Sequence, residues 1–412
     1  MTSLSGRRRR NTLIALCGGL IAAIFVPTLV YVGANAISNS KAGRNALANA
    51  PLEQSFPQTP TAMLATVSDT NELTSLTVFV LAPDADETAA VYDQRGGSIV
   101  SVPINIDSGS GDQLLSLHDA YALGGQDELR AELESAVNLT IDFTAVMKRD
   151  ELAKLLTGFP SIQANLPTDV LGPDEAAFLA KGPNTLTATQ IAQILTSRSP
   201  TQREHLRQAN VEAVWSSVAA AIGTGRQGLT LSVASPTTFA EMVTRLMSGS
   251  VASRGLVARP LEADRNPEGL DVEALDRPDT ILVFASIAPA QMSRPASGLT
   301  FRLEAPPGYD QQVRKTIGVL LSFGGNVVSV DLNAEANADT NLLIYDASLA
   351  AVEPTENPIF GTVKVETPPI RLGSIDETIQ LGTTYLKGVD LSAPDASSTS
   401  TSTSVAPTET TA

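Results

Sequence analysis

The sequence predicts an α/β fold, and the prediction rests mainly on one unit near residue 120. A strand-like run at 98–103 precedes a long loop, the segment 116–125 and a helix, and 140–147 has the composition of the next strand. Three apolar residues at i, i+4 and i+8 give that helix one apolar face: Leu129, Leu133 and Val137. On periodicity alone, this is an ordinary strand–loop–helix–strand unit.

The other elements also alternate between strand and helix patterns, as an α/β fold requires. Residues 73–82 are almost continuously β-favouring and predict a central strand. Capping-box spacings at 187–190 and 201–204 predict two helix starts. We predict helices at 150–156, 187–197, 201–222, 237–247 and 310–323. We predict further strands at 280–285, 299–303, 326–332 and 341–345, and a closing segment at 375–386.

Composition limits the kinds of protein that this chain can be. At 412 residues, of which 43% are hydrophobic, it is long enough for two domains with separate cores. The net charge of −16 argues against nucleic-acid binding, which depends on cationic side chains that neutralise phosphates. Cys17 is the single cysteine, so no intramolecular disulfide can form, and the two histidines give no zinc-site pattern.

The N-terminal segment predicts a membrane anchor. Four consecutive arginines at 7–10 precede a mostly apolar run at 12–35. About 20 apolar residues span a bilayer core of about 30 Å, and the arginines place the N-terminus in the cytoplasm. A cleaved signal peptide is the alternative, with Ala34-Asn-Ala36 as a small-residue cleavage site. We predict a basic cytoplasmic segment at 1–11, a transmembrane helix at 12–35, a stalk at 36–71 and an extracytoplasmic remainder.

The segment 116–125 resembles a motif of the LytR-CpsA-Psr family of cell-envelope proteins. In that family a strand ends in Pro-Arg-Asp, and Lys-Ile-Asn-x-Ala-Tyr-x-x-Gly-Gly then opens a helix. Residues 103–105 stand at the first pattern and 116–125 at the second. The scaffold residues of the second pattern are kept: Ala120, Tyr121, Gly124 and Gly125. The resemblance implies an α/β/α sandwich at 72–250.

A later region resembles the family's pyrophosphate-binding residues, in which Arg-x-Arg and then Arg-x-x-Arg-Gln grip a polyprenyl-linked glycan. Here Arg198 stands in the first pattern, and Arg207 and Gln208 stand in the second. Glu204 replaces the first arginine of the second pattern, and Arg203 lies next to it. The resemblance thus implies four pyrophosphate-binding candidates: Arg198, Arg203, Arg207 and Gln208. On the residues alone, Glu204 is a capping acid and Arg203 and Arg207 are an exposed i, i+4 pair.

Most charged positions of the family pattern are replaced by neutral residues. The replacements are Thr74 or Ser75 for an Asp that holds Mg²⁺, Ile104 and Asn105 for Arg and Asp, and Ser116 and His118 for Lys and Asn. Because phosphoryl transfer depends on neutralisation by metal and cations, we expect degenerate catalysis and assign no catalytic residue and no metal ligand. Mg²⁺ is expected only if the protein is active. Three nearby acids are able to compensate, and nothing in the sequence selects one: Asp107, Asp112 and Asp119.

The C-terminal part resembles the LytR C-terminal domain, which follows the catalytic domain in many family members. The resemblance rests on a strand, a helix ending in Gly324-Gly325, another strand and the segment 375–386. It places a smaller α/β domain at 279–388, after a linker at 251–278. The Ser/Thr-rich composition of 389–412 predicts a disordered tail.

The resemblance implies a function at the cell membrane. We expect a single-pass protein that binds polyprenyl-pyrophosphate-linked glycan or its assembly machinery, with degenerate catalysis. Its expected partners are the membrane, polyprenyl-linked glycan and peptidoglycan, with no nucleic acid. Two alternatives remain open: an active glycopolymer–peptidoglycan phosphotransferase, and an extracellular interaction scaffold that has no lipid slot.

Overall fold

The structure, a computed structural model, describes residues 52–83, 96–108, 114–157, 161–222, 236–294 and 298–392. The chain divides into two units, Met1–Gln54 with Pro368–Arg371, and Ser55–Thr367 with Leu372–Ala412. In the first unit, the N–H of Leu52 donates to the carbonyl of Pro369 (2.9 Å) as part of a short strand pair. The elements discussed below belong to the second unit.

Strands and helices alternate over most of the described chain. The strands are β1 (Leu52–Gln54), β2 (Thr61–Val67), β3 (Leu73–Leu81), β4 (Gly97–Val102), β5 (Phe143–Met147), β6 (Ile162–Leu166), β7 (Val170–Leu171), β8 (Ala177–Leu179), β9 (Gly182–Leu186), β10 (Val251–Gly255), β11 (Ala258–Pro260), β12 (Glu273–Leu275), β13 (Thr300–Glu304), β14 (Asn326–Asp331), β15 (Thr340–Ile344), β16 (Glu356–Asn357), β17 (Gly361–Glu366), β18 (Ile370–Leu372) and β19 (Glu377–Gln380). The helices are α1 (Leu117–Val137), α2 (Arg149–Leu155), α3 (Ala188–Thr196), α4 (Glu204–Ile222), α5 (Phe239–Leu246), α6 (Arg277–Ile287), α7 (Asp310–Ser322), α8 (Ala347–Ala350) and α9 (Thr383–Gly388).

A five-stranded sheet in the order β10-β4-β3-β2-β5 forms the centre of the N-terminal half. The predicted central strand is confirmed as β3, which pairs antiparallel with β2 and β4. The predicted stalk at 36–71 extends too far, because its last part contains β2. Every residue of β2 is buried. Pro60 lies just before the strand and a polar turn lies just after it, so the segment as a whole has the average composition of a linker.

Helices cover both faces of this sheet. On one face the predicted stripe of α1 is confirmed, since Leu129, Leu133 and Val137 are fully buried in the core. On the other face, α3, α4 and α5 pack through a second apolar cluster. Trp215 of α4 lies at its centre, with its ring 5.6 Å from that of Phe79 on β3 and nearly perpendicular to it. This arrangement is the expected α/β/α layering.

The predicted linker at 251–278 is wrong, because much of it belongs to the fold. Its first residues form β10, a parallel edge strand beside β4. A β-hairpin follows, in which β11 pairs antiparallel with β12. The strands are too short, and the prolines, glycines and charges between them too frequent, for a period-2 pattern to emerge from the sequence.

The C-terminal half is built on a six-stranded mixed sheet in the order β14-β13-β19-β15-β17-β16. The predicted helix at 310–323 is confirmed as α7, which buries Val313, Ile317 and Leu320. The glycine that follows it, Gly324, adopts a positive φ of 77°, as expected for a helix C-terminus. The predicted closing segment 375–386 consists of β19 followed by the short helix α9.

The strand predicted at 280–285 is wrong, because these residues belong to α6. Asp276 caps this helix and Pro278 lies in its first turn, a position where proline costs no hydrogen bond. Residues Ile281 to Ala285 are all buried, since α6 packs against α1 on one side and against α7 and β14 on the other. A helix buried on all sides shows the same continuous apolar run as a buried strand.

The predicted transmembrane helix at 12–35 and most of the predicted tail at 389–412 lie outside the described residues. Across the parts of the chain that the structure does describe, we find no helix with the length and hydropathy of a bilayer span.

Candidate functional site

The two motif regions meet at the end of the five-stranded sheet where β4 ends and β3 begins. The N–H of His118, at the start of α1, donates to a backbone carbonyl just after β4 (2.9 Å). The next carbonyl, that of Asn105, accepts from the N–H of Glu273 (3.1 Å). The carboxylate of Asp271 in turn accepts from the N–H of Glu204, the first residue of α4 (2.8 Å). Residues 103–105 and 271–273 therefore connect the starts of α1 and α4.

A capping box fixes the start of α1. The hydroxyl of Ser116 accepts from the N–H of Asp119 (3.1 Å) and donates to its carboxylate (2.7 Å). Burial raises the pKa of Asp119, but hydrogen bonds from Ser116 and His118 outweigh burial and lower it overall. Asp119 is thus engaged in capping, and its carboxylate holds the helix start in place.

The motif residues that the sequence analysis classed as scaffold do shape α1. Ala120 and Tyr121 are buried in the core. Gly124 is exposed, and Gly125 has φ 69° and ψ −147°, which breaks α1 into two segments. That conformation is readily available only to glycine. The first segment of α1 begins beside the end of β4, where the site lies.

An internal ion pair occupies the start of α4. The Nε of Arg207 donates to Oε2 of Glu204 (2.9 Å), and its Nη2 donates to Oε1 (2.5 Å). Glu204 is 1% exposed and Arg207 is 4% exposed. The helix begins at Glu204 itself, so Thr201 is not its cap, and the exposed pair of Arg203 and Arg207 expected from the residues alone is wrong. Two of the donors that Arg207 offers to an anion are already used by Glu204.

Further carboxylates surround this pair. Burial, and then the charge of Asp271, raise the pKa of Glu273, whereas His205 and Asn105 act to lower it. Burial also raises the pKa of Glu212, one turn further along α4 than Gln208. The carboxylate of Glu212 lies directly against the backbone of Gly255 on β10, where a side chain would have no room. The interior of the site is therefore acidic and repels anions.

Several buried polar atoms beside these carboxylates have no hydrogen-bond partner among the described residues. Thr77 and Ser101 face each other across β3 and β4, and each has an unpartnered hydroxyl. The Oε1 of Gln208 and the Nη1 of Arg207 also lack partners. Buried polar groups are usually satisfied by protein or by water. These unpartnered atoms cluster at one end of the sheet, so this part of the interior is polar whereas its surroundings are apolar.

Comparison with known proteins identifies structural neighbours for about half of the chain. No family model matches the sequence, and no curated protein matches it. TagV of B. subtilis is 13% identical, over 55% of this chain and 94% of TagV, with a TM-score of 0.39. TagT with bound octaprenyl pyrophosphate lipid is 14% identical, over 54% of this chain and 86% of TagT, at 0.37. A LytR-Csp2A-Psr enzyme from Actinomyces oris is 12% identical, over 55% and 92%, at 0.36.

These neighbours are LytR-CpsA-Psr proteins. The family is the one that the sequence motifs resemble. Thr74 and Ser75, which the sequence motifs matched to a metal-holding Asp, belong to a buried cluster of hydroxyls with Thr66. The hydroxyl of Thr66 lies 2.9 Å from that of Thr74 and 2.7 Å from that of Ser75, and it donates to the carbonyl of Leu195 (2.7 Å).

This hydroxyl cluster does not fit Mg²⁺, which prefers carboxylate and water oxygens in octahedral geometry. All three hydroxyls are buried and already hydrogen-bonded to one another or to the backbone. Nowhere in the described ranges do three or more His, Cys, Asp or Glu side chains gather as a metal site would need. Of the acids considered as substitutes, Asp107 pairs with Arg265 (2.9 Å), Asp119 caps α1, and Asp112 lies outside the described residues.

The four pyrophosphate-binding candidates lie in the loop between α3 and α4 and in the first turns of α4. Arg198 follows the last residues of α3 and is half-buried, and Arg203 is exposed immediately before α4. Neither side chain forms an ion pair within the described part of the chain. Gln208 is buried and contacts Glu212 at 3.5 Å. Two of the candidates, Arg198 and Arg203, are therefore accessible to solvent. The other two, Arg207 and Gln208, are buried, and their polar neighbours are acids.

The residues that make this site acidic were not predicted from the sequence. Asp271 and Glu273 lie in the segment interpreted as a linker, and Glu212 has the helical spacing of an ordinary solvent-facing acid. Asn105 was identified only as the replacement of a family Asp. One signal was available for the polar space itself, because Ser75 and Thr77 place two polar side chains at alternate positions, and hence on one face, of the central strand.

Proposed function

We propose that the chain is a membrane-anchored cell-envelope protein of LytR-CpsA-Psr type that engages polyprenyl-pyrophosphate-linked glycan without transferring it. The ion pair between Glu204 and Arg207 carries the proposal. An arginine that binds pyrophosphate must offer its planar fork to phosphate oxygens, and here the fork is turned toward a carboxylate of the same helix.

The proposal fits the other residues of the site. Phosphoryl transfer requires the charge on the transferred group to be neutralised. Glu204, Glu212, Asp271 and Glu273 contribute negative charge at this end of the sheet, and the hydroxyl cluster around Thr66 supplies no metal ligand of the required kind. Engagement of a lipid pyrophosphate then depends on the solvent-reaching arginines before α4, and we expect it to be weak.

The lipid identity is supported by analogy with a neighbour. TagT is a LytR-CpsA-Psr protein whose structure contains octaprenyl pyrophosphate. The membrane anchor is supported by the basic and apolar N-terminal sequence. Octaprenyl pyrophosphate is accordingly the probe with which the proposal is tested.

The test uses the full chain purified in detergent. We expect weak, salt-sensitive binding of octaprenyl pyrophosphate, reduced by Arg198→Ala. With a glycan-loaded lipid, a peptidoglycan acceptor and Mg²⁺, we expect no release of polyprenyl phosphate. Transfer of glycan that requires Arg198 would show instead an active phosphotransferase. Absence of any lipid binding by the folded protein would favour the interaction scaffold.

A further inference from the structure

A cavity of about 620 Å³ lies in the C-terminal half of the second unit. Its walls come from α7, from the turn at 359–362 that leads into β17, and from α9 with the residues that follow it. The volume falls within the range of about 300–1,000 Å³ that is typical of small-molecule sites. The cavity shares no residue with the site at the end of the five-stranded sheet.

Two aromatic side chains form a fixed wall of this cavity. The rings of Phe360 and Tyr385 lie edge to face, with centroids 5.2 Å apart and planes inclined at 67°. The hydroxyl of Tyr385 lies 3.1 Å from that of Thr316 on α7, which fixes the ring at its far end. Burial raises the pKa of Tyr385, against the opposing effect of this hydrogen bond, so the phenol stays neutral. The wall therefore presents apolar ring surface and no charge.

The backbone on the opposite side is also held in place. The hydroxyl of Thr340 accepts from the N–H of Gly382 (3.1 Å). Gly382 approaches the backbone of Asp339 and Thr340 so closely that no side chain fits there. Gly361, in the turn, has a φ of 71°. A ligand would enter a cavity that needs little ordering on binding, which favours affinity.

The polar groups at the cavity define the chemistry of its ligand. Asp339 and Asp390 bring two carboxylates and Lys315 one amine, and threonine hydroxyls line the remaining edge. With acids in excess, a phosphorylated or polyanionic ligand is disfavoured. Carboxylates accept hydrogen bonds from ligand hydroxyls, whereas the aromatic wall and Val319 suit a flat C–H surface. A molecule with several hydroxyls and one apolar face satisfies both requirements.

We propose that this cavity binds a neutral sugar residue of a saccharide. The ring wall of Phe360 and Tyr385 takes the apolar face of the sugar, and Asp339 accepts from its hydroxyls. The cavity would give the chain a saccharide-binding site in its C-terminal half, separate from the acidic site near α4.

Binding is measured on the full chain in detergent by isothermal titration and saturation-transfer NMR. The probes are two neutral disaccharides, N,N′-diacetylchitobiose and maltose. Comparators are inorganic pyrophosphate and tetramethylammonium. We expect at least one disaccharide to bind with a Kd of about 1 mM or below, with magnetisation transferred mainly to its C–H face. Any binding of inorganic pyrophosphate or tetramethylammonium should not change when residues that line the cavity are substituted.

Matched variants separate a cavity effect from a folding effect. Tyr385→Ala removes the ring wall and should weaken disaccharide binding at least about tenfold. Tyr345→Ala removes another partly buried tyrosine of the C-terminal half, just after β15, whose hydroxyl lies 3.2 Å from that of Thr378, and should leave binding unchanged. Asp339→Asn, at an exposed position, should weaken binding severalfold, whereas Glu335→Gln on the same loop should not.

Three results would overturn the proposal. The first is that neither disaccharide binds the folded chain at about 10 mM. The second is that tetramethylammonium binds in the cavity and loses affinity in Tyr385→Ala, which would identify a cation site. The third is equal loss of disaccharide binding in Tyr385→Ala and Tyr345→Ala.

Discussion

Glu204 determines what the start of α4 can do with an anion. A helix N-terminus offers backbone N–H donors and a positive dipole end, but here the first N–H donates to Asp271 and the first side chain is itself an acid. Arg207 forms a bidentate ion pair with the carboxylate of Glu204. Burying both charges is costly, and removing one partner leaves the other uncompensated.

Replacement of Glu204 with Gln tests this arrangement. The change keeps the size of the side chain but leaves Arg207 buried without its counter-charge, so we expect the free energy of unfolding to fall by about 3 kcal/mol. The freed guanidinium should bind inorganic pyrophosphate about tenfold more tightly than in the wild type. Urea unfolding with and without pyrophosphate measures both effects.

Glu335→Gln, an exposed change of the same chemistry, serves as the control and should alter stability by less than about 0.5 kcal/mol. If Glu204→Gln leaves stability and pyrophosphate affinity unchanged, the ion pair does not block Arg207.

A partly buried acid, Glu377, predicts a dependence of stability on pH. Burial, aided by the charge of Glu353, raises the pKa of Glu377 on β19 to about 7 from 4.5. Because the folded-state value is the higher one, stability is greatest below about pH 4.5, falls between pH 4.5 and 7, and is constant above that. At about 1.4 kcal/mol per pKa unit, the loss approaches about 3 kcal/mol.

Glu377→Gln should remove this loss. The variant should match the wild type near pH 4.5 and exceed it by about 2–3 kcal/mol at pH 8. Urea unfolding at four pH values provides the measurement, because other titrating groups cancel in the difference. A difference that does not change with pH would contradict the assignment.

Among the secondary-structure elements, α6 joins the two halves of the second unit. Its cap, Asp276, accepts from the N–H of Asp279 (3.1 Å). The same carboxylate pairs with Arg259 on β11 and with Arg314 on α7. The side chain of Asp276 is 2% exposed. Asp276 thus caps the core helix α6 and also links the start of this helix to β11 and α7 through ion pairs.

Asp276→Asn keeps an acceptor for the helix cap but removes the charge that both arginines share. We expect a loss of about 2–4 kcal/mol in the free energy of unfolding, since Arg314 is left largely buried. Asp310→Asn, in the first turn of α7, is the matched control and should cost under about 1 kcal/mol. Thermal unfolding distinguishes the two variants. An equal loss in the free energy of unfolding for both would show that Asp276 acts only as a helix cap.

Which elements the sequence could predict depended on how each buries its apolar residues. Where one face is buried and the other solvated, as in α1 and α7, the period is visible and the prediction was confirmed. Where an element is buried on every side, as in β2 and α6, the period disappears, and neighbouring prolines or overall hydrophobicity decided the interpretation. The short strands β10 to β12 lacked enough residues to show a period.

At the scale of the whole molecule, the two motif regions lie at the starts of α1 and α4, which meet at one site, but the motifs did not predict the character of that site. Residues Ala120 and Tyr121 act through local packing, which a motif preserves. Asp271 and Glu273 reach the site from about 70 residues beyond the start of α4, and no local pattern in the sequence encodes that contact. The acidity of the site was therefore not predictable from the motif alone.

The proposed location makes a prediction for the whole chain. Deletion of residues 2–35 should release the protein from the membrane fraction into the soluble fraction, because about 20 apolar residues supply the attachment. Replacement of the four arginines at 7–10 with Gln should leave membrane attachment intact. It should reduce the fraction of molecules with a cytoplasmic N-terminus, as measured by protease accessibility in spheroplasts. Retention of the shortened chain in membranes would show that another surface binds them.

The position of β10 has a consequence for biogenesis. This strand completes the sheet beside β4, yet about 150 residues separate the two in the chain. Until residue 255 has emerged during synthesis, β4 presents an open edge, and open edges recruit other strands. We therefore expect a chain truncated before residue 251 to aggregate, and folding of the full chain to depend on factors that keep nascent chains apart until β10 has paired with β4.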